Sequence, residues 1–230
     1  MPDAPARRKP GPQATAARND RAVIEAAREV FLTQGFDAPV SAVAERAGVG
    51  MGSLYRRYRT KEELLQHLCV DSMQRLADAA RAALRAQDPW EGLAGYVRRC
   101  AGFGFGALAP LAGTIASTED MWRAARAAQE LAEAVVARAH AAGVLRRDVT
   151  ALDVSLLIGK FSTRATAPSP AEEENAAHRI LAIALDGLRA GHPEPLPGHP
   201  PVVRRYEDLW RRGGGGQEPP FRVADEGRST

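Results

Sequence analysis

The side chains best suited to hold another molecule are crowded between Met51 and Lys61. Tyr55, Arg56 and Arg57 can each donate hydrogen bonds to phosphate oxygens. Lys61 adds a cation in the first turn of the next helix, where free backbone N–H groups also favour an anion. Gly52 and Ser53 are small enough to let another molecule come close. Met51 offers an apolar contact of the kind a thymine methyl accepts. Together these groups suit double-stranded DNA: donors for phosphates, and a small mixed surface for base edges. The competing reading is a solvated helix face, on which two arginines are ordinary, with Leu54 and Tyr58 turned inward.

Nothing in the rest of the chain points to catalysis. The five histidines are scattered, no HExxH is present, and Cys69 and Cys100 form no CxxC pair. His140 and His178 stand too far apart in sequence to argue a metal site. No nucleophile–base pair is visible, so no catalytic residue, metal or cofactor is expected and the chain does not read as an enzyme. The Gly102–Gly106 run GFGFG follows no strand, so it reads as a bend or a close helix crossing and not as a phosphate loop.

A recognition helix needs a scaffold, and the periodicity supplies one. From Ala17, the residues Val23, Ala26, Ala27, Val30 and Phe31 form one helical stripe, with Gly35 as its stop. A short helix follows from Val40 to Ala47, opened by Pro39 and broken by Gly48-Val49-Gly50. The next short helix covers Met51 to Tyr58. Two short helices about a glycine turn fit a helix-turn-helix, in which the second lies in the major groove. Thr60 and Glu63 form a capping box that opens a long helix carrying Leu64, Leu65, Leu68, Met73, Leu76 and Leu84. Further helices are expected over residues 90–108, from Ser117-Thr118-Glu119-Asp120 to Ala142, from Thr150 with its partner Asp153, and from Ser169-Pro170 to Ala190. No window alternates as a strand would.

The expected fold is therefore all-α, with an N-terminal three-helix helix-turn-helix domain and a C-terminal helical bundle. Residues 1–16 read as a disordered basic arm, 17–65 as the DNA-binding domain, 66–191 as the helical domain, and 192–230 as a flexible Pro/Gly-rich tail. Hydrophobic residues make up 45% of the 230 residues but aromatics only 6%, so Leu, Ala, Val and Ile must do most of the packing. The net charge of +3 is too small for a non-specific architectural DNA binder. Residues 1–70 carry 11 Lys/Arg against 8 Asp/Glu, whereas residues 71–187 carry 13 against 14, so the positive excess lies with the helix-turn-helix. With no apolar leader, no span of roughly 20 apolar residues and no disulfide framework, the chain reads as soluble and cytoplasmic, without a membrane partner.

The stretch from Val40 to Leu65 resembles the signature of the tetracycline-repressor (TetR) family. The resemblance rests on Ala47-Gly48-Val49, Gly52-Ser53-Leu54-Tyr55, the aromatic Tyr58, and Lys61-Glu62 before Leu64. Upstream, Ile24-Glu25-Ala26-Ala27, Phe31 and Gly35-Phe36 extend it. It implies a ligand-responsive repressor that binds a palindromic operator as a homodimer and is released when a small molecule binds the C-terminal domain. It also implies phosphate contacts by Tyr55 and Lys61, and contacts at or near the bases by Ser41, Met51, Gly52 and Ser53. The usual Thr or Ser cap of the second helix is replaced by Pro39-Val40.

The C-terminal helices support pairing with a second copy. The helix of Val154, Leu156, Leu157, Ile158 and Phe161 is apolar nearly all round, and the last helix carries a stripe of Ala177, Ile180, Leu181, Ala184, Leu185 and Leu188, so a helix bundle shared with a twin would cover both. Leu157, Phe161, Leu181, Leu185 and Leu188 are the expected interface. Trp90, Phe103, Phe105, Leu108, Met121, Trp122 and Phe161 either line an effector pocket or are plain core. Few charges interrupt them, so an effector there would be uncharged or largely apolar. The remaining alternative is a small-molecule binding protein without regulatory DNA binding.

Overall fold

The computed structural model describes residues 12–102, 108, 111–161, 170–191, 194–202 and 208. Among these residues eight helices follow one another: α1 Pro12–Gln34, α2 Val40–Ala47, α3 Met51–Tyr55, α4 Lys61–Arg85, α5 Pro89–Gly102, α6 Glu119–Ala141, α7 Ala151–Phe161 and α8 Pro170–Gly187. No strand occurs among the described residues; one isolated antiparallel bridge joins Leu145 and Arg189. Two compact units divide the chain within α4, one ending at Asp71 and the other starting at Ser72.

In the first unit α2 packs on α1. Val23, Ala27, Val30 and Phe31 of α1 are buried, as are Val43 and Ala44 of α2, Leu54, Tyr58, and Leu64 and Leu68 of α4. α1 begins at Pro12, earlier than its apolar stripe suggests. The reason is compositional: residues 12–17 can be helical but offer no apolar stripe to betray it. α2 opens at Pro39 with extended backbone and no side-chain cap. It ends at Gly48, whose φ of 66° is left-handed. There Gly48 donates to the Glu45 carbonyl and Val49 to that of Ala44. That pair of bonds closes a Schellman turn, which favours glycine because a Cβ is strained at such a φ. At the start of α4 the Glu63 amide donates to Thr60 Oγ1 at 3.0 Å. Glu63 Oε2 in turn accepts from the Arg59 amide at 2.7 Å.

The first unit also buries a charge. Arg28 lies among the apolar residues of α1 and is 7% exposed. Its guanidinium donates to Asp71 of α4 at 2.6 Å. Removing one member of such a pair leaves the other charge uncompensated, so the pair orders α1 against α4 more than it adds net stability.

The second unit has a continuous core of α4 residues from Leu76 on and residues of α5, α6, α7 and α8, including Leu93, Val97, Val136, Ile158 and Leu185. Cys100 belongs to it and Cys69 to the first unit's interior; burial pushes both thiols up to about 12, so both stay neutral at physiological pH. Arg138 of α6 holds the end of α4, donating to the Ala83 carbonyl in its last turn at 2.9 Å and to the carbonyls just beyond it, Ala86 at 2.5 Å and Gln87 at 3.1 Å. The Ala83 carbonyl also accepts from the Ala86 amide at 3.2 Å, so the side chain reinforces the closing turn of the helix.

α8 ends at Gly187, three residues short of the Ala190 expected from its apolar stripe. The backbone beyond it pairs instead with the α6–α7 connection. Arg146 N–H donates to the Leu188 carbonyl and Ala190 N–H to that of Val144. The following stretch is tied down as well. Arg146 holds Asp148 through two bonds of 3.0 Å and donates to the Glu194 carbonyl at 2.7 Å. Asp148 also accepts from the Leu196 amide at 2.7 Å.

The Arg146 bonds, then the Leu196 amide, hold the Asp148 carboxyl well below the usual carboxylate range. A carboxylate with a lowered folded pKa contributes stability above its unfolded pKa and loses it as pH falls through the folded one. The stability difference between the wild type and Asp148→Asn is therefore expected to be full above about pH 5 and to shrink below about pH 4. Denaturant melts at several pH values check this, and a difference independent of pH would contradict it.

Candidate nucleic-acid interface

α3 is only five residues long. A helix that short has no stability of its own and takes its orientation from its anchors. Leu54 and Tyr58 supply one anchor line, at 1% and 5% exposure. The turn continues to Tyr58, whose amide donates to the Leu54 carbonyl at 3.0 Å. Burial raises the Tyr58 hydroxyl pKa, with the charge of Asp20 adding to the effect. The edge of the Tyr58 ring meets His67 of α4 with centroids 5.1 Å apart.

Most of the other side chains of the segment turn outward. Met51 is 36% exposed and Tyr55 46%, and both are among the few large apolar side chains of the described residues that are left open to solvent. Gly52 and Arg56 are exposed too, as is Ser41 on α2, while Ser53 is half-buried. A methyl group at Gly52 would meet nothing within 4 Å, and its φ is not left-handed. Neither packing nor backbone therefore calls for glycine, which in a helix costs about 0.5–1 kcal/mol relative to alanine. An opening kept at that cost on an exposed helix suits close approach by another molecule.

Two of the expected contact residues have intramolecular partners. Lys61 is half-buried, with Nζ 5.7 Å from the centre of the Phe31 ring. Its ammonium keeps donors available, because the ring accepts only through its face. Arg57 is bound more firmly: Nη1 lies 2.5 Å from Asp20 Oδ1 of α1, with Arg57 24% exposed and Asp20 48%. Sequence reasoning missed Asp20, since nothing local links it to a residue so far along the chain. Arg28 was missed as well, although it stands four residues from both Ile24 and Leu32, a signal that could have placed it near the apolar stripe.

The second unit distributes the expected pocket and interface residues unevenly. Trp90 is buried in the core, and the Arg189 guanidinium covers its ring at 4.1 Å. Phe161 and Leu157 are half-buried against the same core. Leu108 and Met121 are buried outside that cluster, and Trp122 is half-buried. Phe103 and Phe105 lie outside the described residues. Leu181 and Leu185 point into their own unit's core, and Leu188 packs partly against it. They are thus turned inward in the single chain, in contrast to their expected place on an interface. The outward face of α8 instead repeats Ala176, Ile180, Ile183 and Gly187 at helical spacing. Ile180 is 55% exposed and Ile183 65%. Among the described residues no cluster of His, Cys, Asp or Glu could hold a metal ion, and no helix is long and apolar enough to cross a membrane.

Comparison with known proteins agrees with this geometry. Residues 23–68 match the family model described as bacterial regulatory proteins, tetR family. Residues 88–190 match the C-terminal domain of SbtR-like transcriptional regulators. A TetR transcription regulatory protein from Mycobacterium vanbaalenii is 30% identical, covering 77% of this chain and 99% of its own, with a TM-score of 0.58. The TetR regulator SCO0520 from Streptomyces coelicolor is 28% identical over 76% of this chain and 99% of its own, with a TM-score of 0.57. The ketosteroid regulator KstR2 of Mycobacterium tuberculosis shares the fold, at 20% identity over 76% of this chain and 96% of its own and a TM-score of 0.53. No curated protein matches the sequence.

Proposed function

The chain belongs to the tetR family of bacterial regulatory proteins, a family of transcriptional regulators, and from that premise we propose that it works as a homodimer on a palindromic operator, from which a small, largely apolar effector releases it. The observation that carries the DNA-binding part is the exposed Met51, Gly52, Tyr55 and Arg56 on a helix anchored from behind by Leu54 and Tyr58. In this reading Tyr55, Arg56 and Lys61 hold phosphates, while Ser41, Met51, Gly52 and Ser53 lie at or near base edges. A two-fold dimer then reads two matching half-sites. Residues 17–65 form the DNA-binding domain and 66–191 the effector and dimerisation domain. An apolar effector suits the buried Leu108, Leu111, Ile115 and Met121, which bring no charge with them.

Selection of bound sequences from random duplex DNA at near-physiological salt tests the proposal. A palindromic consensus is expected, and the absence of any enrichment, with and without metabolite extract, would overturn it. Tyr55→Phe and Lys61→Ala are each expected to weaken binding to every sequence by about three- to tenfold, and Lys61→Ala to lower the salt slope by about one. Unchanged affinity in both would contradict this docking.

The dimer is proposed to use α7 and α8. Leu157 and Phe161 supply half-buried apolar surface on α7. On α8 the contact falls to Ile180 and Ile183, because Leu181 and Leu185 are already used inside the chain. Ile183→Glu is expected to convert the dimer to monomer at micromolar concentration without loss of helicity, read by sedimentation. A dimer of undiminished strength would remove α8 from the interface.

A further inference from the structure

We infer that Arg57 is a positioning residue that orients the recognition helix through Asp20, and that it does not itself bind a phosphate. The inference rests on the DNA-binding reading of α3 and refines it. α3 spans five residues with Leu54 buried, and the turn that continues it buries Tyr58 four positions further on. Two anchors on one line resist a roll of so short a helix about that line only weakly. Arg57 projects to the side of it and reaches Asp20 on α1, with 2.5 Å between Nη1 and Oδ1. The pair therefore opposes the roll.

The contrast with Arg56 supports this division of labour. Arg56 is exposed and takes part in no ion pair among the described residues, whereas Arg57 is half-buried and committed to a carboxylate. A DNA phosphate at Arg57 would have to share the guanidinium with the Asp20 carboxylate, whose negative charge so close to the DNA adds repulsion. Tyr58 shares this environment: the Asp20 and Arg57 charges act on its hydroxyl in opposite directions. α1, the recognition helix and the Tyr58 anchor thus meet around one ion pair.

A positioning role and a phosphate contact predict opposite behaviour for Asp20→Asn. If the pair orients α3, both Asp20→Asn and Arg57→Gln lower affinity for the selected operator by about three- to tenfold, and the double variant is no worse than the weaker single. Affinity for random DNA and the salt slope stay at wild-type values in Arg57→Gln. If Arg57 binds a phosphate, Arg57→Gln weakens operator and random DNA alike and lowers the salt slope by about one. Asp20→Asn then tightens both complexes, because a negative charge near the DNA has gone.

The experiment is a titration of full-length wild type and the three variants against operator and random duplexes at several salt concentrations, with amide hydrogen exchange on the free proteins. The expected result adds faster exchange at Ser53 to Tyr58 in Asp20→Asn, with α1 and α4 still protected. Unchanged protection there, or tighter operator binding by Asp20→Asn, overturns the inference even if a variant proves unstable. Wild type that cannot tell operator from random DNA would instead strike at the DNA-reading proposal, while the exchange data still decide whether the pair orders α3.

Discussion

Gly52→Glu is expected to lower operator affinity by about a hundredfold or more, roughly 3 kcal/mol, while the melting temperature stays the same or rises slightly. The two signs come from different causes. In the free protein a side chain at position 52 enters open space, since a Cβ there meets nothing within 4 Å. Replacing glycine in a helix also removes a local cost of about 0.5–1 kcal/mol. On the complex the same side chain occupies the place of closest approach and sets a carboxylate against phosphates. Fluorescence anisotropy with the selected operator, paired with a thermal melt, reads both. Gly52→Ala is expected to move each quantity the same way by less. Full operator binding by Gly52→Glu would mean that the exposed face of α3 does not lie against DNA.

Gly92→Ala is expected to destabilise the second unit by about 2 kcal/mol, lowering its melting temperature by several degrees. Here the added methyl has nowhere to go. It would stand 2.7 Å from the Ala83 carbonyl oxygen and 3.4 Å from both the Ala86 Cβ and Arg138 Nη1. The first of these atoms is backbone and cannot swing aside. It is also the acceptor of the Arg138 bond at 2.9 Å. Making room therefore moves the end of α4 away from α5 and strains the side chain that caps α4. Arg138→Ala, which removes the cap without adding bulk, is expected to cost less but to act on the same unit. Chemical denaturation followed by tryptophan fluorescence measures the loss, and wild-type stability in Gly92→Ala would show that α4 and α5 can separate freely.

Much of this protein was legible in its sequence wherever the cause is local. The Schellman turn at Gly48, the capping box of Thr60 and Glu63, the Thr118 cap of α6, which accepts from Met121, and the Thr150–Asp153 box each involve residues within five positions of one another. Their geometry is set by backbone sterics and short hydrogen bonds, which residue types specify. The chemical character of the DNA-facing segment was legible for the same reason. Met51, Gly52, Tyr55 and Arg56 are outward because Leu54 and Tyr58, at helical spacing, are inward.

Tertiary structure decided what depends on distant parts of the chain. α8 stops at Gly187 because residues 188–190 find hydrogen-bond partners in residues 144–146, and no local signal marks that pairing. Which side of α8 faces inward was likewise open. Ile180 shares the apolar stripe of Leu181 and Leu185 in the sequence, yet Leu181 and Leu185 turn into the core while Ile180 joins Ile183 outside, and only packing against α5 to α7 makes that choice. The same holds for the two neighbouring arginines of the recognition segment. Arg56 and Arg57 are chemically identical in the sequence, yet one faces solvent and the other meets Asp20 of α1. A long, flexible cation takes its role from whichever carboxylate the fold brings within reach, so residue type specifies its chemistry and the three-dimensional arrangement specifies its partner.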